Sequence, residues 1–164
     1  MNAKKPLAVI WDIDQVLCKS WRPEFKKQFE MGDFTEFEEG IPSYGTYEWA
    51  ITLLQLLRKA SVATVFVTAR NEKYKYPTMA WLEEKIGLKP DDYTIYMRPE
   101  DNTEADRNLK ERAVKELTAD YNILFAIDDK VEVAKLWADY GLASLHVVSS
   151  DIEYLSQLKE KTEE

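Results

Sequence analysis

Leu7-Ala8-Val9-Ile10-Trp11-Asp12-Ile13-Asp14 is an apolar run of strand length and β-rich composition that ends in two aspartates spaced i, i+2. A strand buried on both faces of a parallel sheet reads as such a run. The first place it can present carboxylates is its carboxyl end, where open α/β sheets bind ligands. In extended backbone, residues two apart point to the same side, so Asp12 and Asp14 are expected to converge on one small site. Two like charges that close need a shared proton or a cation between them. A metal site is therefore the first expectation.

Outward from this strand, Val62 to Val67 is a second buried run followed by Thr68-Ala69-Arg70, and Tyr93 to Met97 is a short third. Asn122 to Ile127 is a fourth, ending in Asp128-Asp129, and Ala143 to Val148 a fifth. Helical spacing separates them: Tyr47, Ala50, Ile51, Leu54 and Leu57 after Thr46; Pro77 to Ile86, with Pro in the first turn and Gly87 at C′; Ala105 to Leu117; and Val133, Leu136, Trp137 and Tyr140, stopped at Gly141. Ser150 or Asp151 could cap a terminal helix. Strands alternating with helices predict an α/β fold, a Rossmann-like doubly wound parallel sheet in three α/β/α layers with right-handed crossovers. Residues 15–45 carry scattered aromatics (Trp21, Phe25, Phe29, Phe34, Phe37, Tyr44) without sustained periodicity. They read as a loop or minimal cap after strand one, the aromatics as packing, with base stacking as the alternative. No linker or repeat divides residues 1–164, so one domain is expected.

At 164 residues the chain is long enough to bury roughly 70% of its unfolded surface. With 45% hydrophobic and 32% charged residues it has a globular composition, and no apolar run approaches the roughly 20 residues that span a bilayer. Met-Asn-Ala-Lys-Lys-Pro and the short run after it do not read as a secretory signal. The lone Cys18 excludes an internal disulfide and fits a reducing cytoplasm. A formal net charge of −8 disfavours wrapping of nucleic-acid duplex, which needs many Lys and Arg contacts to phosphates. One phosphate held in a locally basic pocket stays open.

Acids, one hydroxyl and a few cations at the strand ends narrow the chemistry. Oxygen ligands favour Mg²⁺, whereas zinc is short of N/S ligands in a chain with one Cys and one His. The five glycines form no G-x-G-x-x-G, and Gly40 and Gly45 are followed by Thr46-Tyr47, so no Walker A lysine is present. A cysteine phosphatase would need Arg where Glu24 follows Cys18. Carboxylate chemistry on a phosphoryl group remains. Asp12 would attack phosphorus, and Asp14 would protonate the leaving oxygen and then activate water. Mg²⁺ would be held by Asp12, the backbone carbonyl of Asp14 and Asp128, with Asp129 close by. Thr68 would bond a phosphate oxygen, and a lysine would neutralise charge.

Asp12-Ile13-Asp14, Thr68 at a strand end, a lysine, and Asp128-Asp129 together resemble the four-motif pattern of the haloacid dehalogenase (HAD) superfamily of phosphatases. Within it, Val-Thr-Ala-Arg at 67–70, Tyr-Pro-Thr-Met-Ala-Trp-Leu at 76–82, Met-Arg-Pro-Glu at 97–100, Ala-Ile-Asp-Asp-Lys at 126–130 and Val-Val-Ser-Ser at 147–150 are similar to the 3′-phosphatase domain of phage-type polynucleotide kinase/phosphatase. The resemblance implies that the catalytic lysine is Lys110, with Asp106 orienting it one helical turn earlier, and that Arg70, Arg98 and Arg22 face the substrate. It departs from the family at Gln15-Val16, where Gly-Thr is usual, and at Glu104, where an arginine is common. Helix-surface pairing among Arg107, Glu111 and Arg112 is the ordinary alternative for Lys110.

The expected activity is a Mg²⁺-dependent phosphomonoesterase acting on polynucleotide 3′ ends or nucleotides. A 5′-nucleotidase or other small-molecule phosphatase is the alternative. Receiver-type signalling modules also gather acids, Thr and Lys around Mg²⁺. They carry the accepting aspartate on a central strand after the acid pair, an order this chain does not follow.

Overall fold

The run at Leu7 becomes the middle strand of the sheet. The computed structural model describes residues 4–148. Its elements in chain order are β1 (Leu7–Trp11), β2 (Cys18–Lys19), α1 (Phe25–Glu30), α2 (Thr35–Glu39), β3 (Gly45–Thr46), α3 (Glu48–Lys59), β4 (Ala63–Asn71), α4 (Lys75–Trp81), β5 (Tyr93–Arg98), α5 (Asp106–Asp120), β6 (Asn122–Asp128), α6 (Val131–Asp139) and β7 (Ser144–His146). The main sheet has order β5-β4-β1-β6-β7 and is parallel throughout. From β1 the chain builds outward to β4 and β5 on one side, then returns to build β6 and β7 on the other. The crevice of such a sheet opens where that reversal occurs, between β1 and β6.

Side chains alternate across the sheet as the pleat requires. Val9, Trp11, Phe66 and Ile127 pack under Ala50 and Leu54 of α3, Trp81 of α4, and Leu82 and Ile86 of the wide turn that follows α4. Ala8, Ile10, Val65, Val67 and Ala126 pack against Ala113, Val114 and Leu117 of α5 and Val133, Leu136 and Trp137 of α6. Each fully buried Val, Leu, Ile or Phe among them contributes about 1.5–3 kcal/mol of transfer free energy. This is the three-layer α/β/α arrangement that the alternating pattern predicts. Gly87 ends the α4 segment with φ +79, donating to Glu83 O, while Leu88 N–H reaches Leu82 O. Only a residue free to adopt the left-handed region closes a helix this way without strain. Among the described residues no helix is long and apolar enough to cross a membrane.

Three elements differ from the sequence expectation. β4 runs on to Asn71 because pairing with β5 resumes at Asn71↔Arg98 beyond a register shift, so Thr68 and Arg70 lie within extended chain. β7 is limited to Ser144–His146 and, among the described residues, is an edge strand paired with β6. Residues 15–45, read as a loop or minimal cap, carry short elements whose bounds the sequence did not place. The antiparallel pair β2–β3 closes the base of this insert (Cys18↔Thr46, Lys19↔Gly45), and α1 and α2 stand on it. Phe25, Phe29 and Phe37 pack ring to ring at 5.3–6.0 Å, and Tyr44 Oη donates to Phe37 O. Trp81 Nε1 donates to Tyr44 O and ties the insert to α4. The terminal helix suggested at Ser150 or Asp151 lies outside the described residues.

Candidate active site

Asp12 leaves β1 beside the end of β6, and its N–H donates to Ile127 O at 3.0 Å. Three carboxylates meet here: Asp12, Asp128 and Asp129 each offer an oxygen within 4.8 Å of the others. Lys110 lies among them, 1% exposed, with Nζ 2.6 Å from Asp128 Oδ2 and 3.1 Å from Asp12 Oδ1. It reaches the sheet because Leu109, Ala113 and Val114 seat α5 on the core and leave the Asp106/Lys110 stripe, i and i+4, toward the strand ends. The second oxygen of Asp128 accepts from Lys130 N, and the Asp128 carbonyl accepts from Val147 N. Asp128 is thus fixed from three sides.

The electrostatics follow from crowding. Burial pushes the Asp12 carboxyl well above its ordinary range, Lys110 opposes that, and Asp128, Asp129 and Asp14 add to it. Asp129 is likewise pushed up to about 6 by burial and by Asp128. Burial alone would lower Lys110, but Asp12 and Asp128 outweigh it and hold the ammonium above its usual value. Three acids and one ammonium leave a surplus of negative charge at the largely buried end of the cleft. An oxygen-only donor set of this size fits a hard divalent cation.

Asp14 turns elsewhere. Its carboxylate forms a two-pronged pair with Arg70, Nε to Oδ2 at 2.9 Å and Nη2 to Oδ1 at 2.7 Å, and it is not one of the three clustered carboxylates. Arg70 is buried and also donates to Thr78 Oγ1 and Cys18 Sγ. Thr68 is fully buried, and its Oγ1 accepts from Arg70 N at 3.2 Å, which uses the hydroxyl oxygen and not its proton. Arg98 is equally engaged: Nε donates to Ala69 O, Nη1 to Asn102 Oδ1 and Glu104 O, and Nη2 to Asp106 Oδ1 at 2.5 Å. Asp106 also pairs with Lys130. Burial disfavours its ionised form, but Lys130, Lys110 and Arg98 hold it below the ordinary carboxylate range. Arg22 stands on the insert, over the Phe25 and Tyr44 rings and bonded to Ser43 Oγ, and is not among the residues lining the cleft.

The cleft above these groups is about 740 Å³, in the range of small-molecule sites. Asp12, Asp14, Arg70, Lys110 and Asp129 form its floor, and Trp21, Phe29, Phe34 and Phe37 of the insert line it as well. Sequence reasoning passed over Lys130, although it follows Asp129 directly. It also passed over Thr78, which with Cys18 braces Arg70, and Glu38, whose Oε1 accepts from Asn71 N.

Gln15 replaces the usual glycine and adopts φ +61, the left-handed geometry that glycine would supply. Its Oε1 accepts from Ser20 N and Trp21 N at 3.1 and 3.2 Å, so the side chain organises the loop that holds Cys18. Gln15→Ala keeps the backbone strain and strips both donors of their acceptor, an expected loss of about 1–3 kcal/mol. Gln15→Gly relieves the strain and should be less destabilised by about 1 kcal/mol. Urea midpoints of the two variants check the ordering, and equal midpoints would remove the strain argument.

Residues 6–152 match the family of the polynucleotide kinase PNKP phosphatase domain. The chain is 30% identical over 150 residues to a protein of Autographa californica nuclear polyhedrosis virus described as "Putative bifunctional polynucleotide kinase/RNA ligase", and it covers 90% of itself but 20% of that relative. The chain therefore spans about a fifth of its curated relative. Its fold is similar to a chain of the solved Pnkp1/Rnl/Hen1 RNA repair complex, with TM-score 0.72 at 19% identity over 90% of this chain and 44% of that one. It is also similar to the class C acid phosphatase from Bacillus anthracis, with TM-score 0.60 at 13% identity over 85% of this chain and 63% of that one. Family match, parallel sheet and strand-end acids agree: this chain belongs to the PNKP phosphatase-domain family of HAD-type phosphatases.

Proposed function

We propose that the protein is a Mg²⁺-dependent phosphomonoesterase that removes 3′-phosphates from polynucleotide ends or nucleotides through an aspartyl-phosphate on Asp12. The observation that carries this reading is the position of Asp12, buried between Lys110 and the Asp128/Asp129 pair at the floor of the cleft. Asp12 Oδ attacks phosphorus while the ester P–O bond breaks, and Asp14, which enters this step protonated on the oxygen that gives up its Arg70 contact, gives that proton to the leaving oxygen. Asp14 then takes a proton from water as the water oxygen attacks phosphorus, the P–O bond to Asp12 breaks, and inorganic phosphate leaves. Arg70 holds the direction of Asp14 through both halves. Thr68, buried beneath the cleft and not among the residues lining it, would have to turn its uncommitted hydroxyl proton upward to bond a phosphate oxygen, and Lys110 balances charge on the transferring group. Asp12, Asp128 and Asp129, with the Asp14 carbonyl, would hold Mg²⁺, which when bound supplies charge neutralisation between anionic nucleophile and anionic phosphate. Arg70 and Arg98 act here as braces for Asp14 and Asp106, and Lys130 is the cation best exposed to an entering substrate.

The viral relative and the RNA repair complex support a nucleic-acid end over a sugar phosphate. The acids Glu38, Glu100 and Glu104 along the cleft favour a short or mononucleotide substrate as the second reading. Phosphate release from a 3′-phosphorylated oligoribonucleotide, a nucleoside 3′-monophosphate and a nucleoside 5′-monophosphate separates them. Turnover confined to the 5′-monophosphate would overturn the 3′ assignment. EDTA should stop the reaction and Mg²⁺ restore it. Protons compete with the cation for Asp12 and Asp129, so the Mg²⁺ concentration for half activity should rise as pH falls through about 6. A Mg²⁺ requirement independent of pH would argue against that cluster as the site.

A further inference from the structure

The cleft has two chemically different sides. Its sheet side is charged, with Asp106, Lys130 and Lys110, while its insert side is aromatic. Phe34 is 46% exposed at the turn between α1 and α2, where Gly32 adopts φ +72 and Asp33 Oδ1 caps Thr35 N. Behind it, Phe29 lies 4.7 Å from Phe34 and 5.7 Å from Trp21 between ring centroids, and Phe25 and Phe37 back Phe29. A single exposed aromatic residue needs no explanation. A braced row of them continuous with a phosphoryl-transfer floor is what a ligand with one flat apolar part and one anionic part requires.

Resting on the function proposed above, we propose that Phe34, with Trp21 and Phe29, receives by stacking the unpaired base of the nucleotide that carries the scissile phosphate. Every base has a π face, so such a platform tolerates sequence while requiring a nucleobase. A cleft of about 740 Å³ has room for a nucleotide, and the platform is proposed to take its base unpaired, with the ring face turned to Phe34. The same platform would take the base of a free 3′-mononucleotide.

The test uses the full chain and four substrates: a single-stranded 3′-phosphorylated oligoribonucleotide, the same strand with an abasic terminal residue, the same strand with its terminal base paired, and a nucleoside 3′-monophosphate. The unmodified protein should favour the base-bearing single strand over the abasic and paired ends by about tenfold in kcat/KM, the loss expected when one base–aromatic stack is removed. In Phe34→Ala the ratio between base-bearing and abasic ends should fall toward one, and Phe34→Trp should restore it. The mononucleotide should lose as much as the oligonucleotide. If the unmodified protein hydrolyses abasic and base-bearing ends equally, or if Phe34→Ala lowers both while keeping their ratio, the platform is refuted and the phosphatase reading stands. A loss on the oligonucleotide without one on the mononucleotide also refutes it, since the contacted base would then lie upstream. If none of the four substrates is hydrolysed, both readings fall.

Discussion

Asp12→Asn is expected to lower phosphate release by on the order of a thousandfold or more, because the amide cannot form the proposed acyl phosphate and the remaining groups act only on a bond that no longer forms. The same change should leave the fold intact. Asp12 is buried beside Asp128 and Asp129, and burial with those neighbours raises its carboxyl pKa. A carboxyl raised on folding makes the folded protein bind more protons than the unfolded chain. Stability without metal therefore rises as pH falls through the folded value, and at neutral pH the charged form is a burden. Asn removes that burden, and Lys110 keeps its 2.6 Å contact with Asp128. In EDTA at neutral pH the melting temperature of Asp12→Asn should therefore match or exceed that of the unmodified protein. Phosphate release and a thermal scan on the same preparation check both halves. Substantial turnover would remove Asp12 as nucleophile, and a large drop in melting temperature would show that its charge stabilises the site.

The strands were legible because each is written as an uninterrupted apolar run, Leu7–Trp11 and residues 123–127, buried where it approaches the site, and carboxylates can appear only where such a run ends. Gathering of Asp12, Asp128 and Asp129 follows from that rule and parallel pairing of neighbouring strands, Trp11 opposite Ile127. What a cation faces is a different kind of fact. Arg70 meets Asp14 across 56 positions and is boxed in by Cys18 and Thr78, and Arg98 is bound to the loop that leads into α5. Nothing local to Val-Thr-Ala-Arg or Met-Arg-Pro-Glu tells that these guanidiniums line the cleft while already bonded to carboxylates. The insert was opaque for another reason. α1 and α2 have six and five residues, under two turns each, too short for a periodicity to be read. They are held by contacts among Phe25, Phe29, Phe37 and Tyr44 rather than by their own helical preference.

Lys110→Met should damage both stability and activity, and by separable routes. Lys110 is the ammonium within reach of both Asp12 and Asp128, and methionine fills similar volume without charge. Breaking a buried ion pair by removing one partner leaves uncompensated charge, a loss of about 3–5 kcal/mol. For a chain of this size that is a fall in melting temperature of about 10 °C, read in EDTA at neutral pH. Two dependences distinguish this cause from poor packing. Lowering the pH lets the orphaned acids take up protons, so the deficit should shrink on the acid side. Adding Mg²⁺ stabilises whichever form binds it by mass action, and a cluster stripped of its internal cation should gain more from it than the unmodified protein does. Activity should not follow the stability back. With the cluster saturated in Mg²⁺, the ammonium proposed to balance the transferring group is still missing, and a loss of on the order of a hundredfold in kcat should persist. Lys110→Arg tests shape against charge, since a planar guanidinium cannot occupy a fully buried ammonium site without displacing its neighbours. Near-normal turnover of Lys110→Met in saturating Mg²⁺ would make Lys110 a structural counter-ion alone, and a stability deficit unmoved by pH and Mg²⁺ would show that its packing, not its charge, holds the strand ends together.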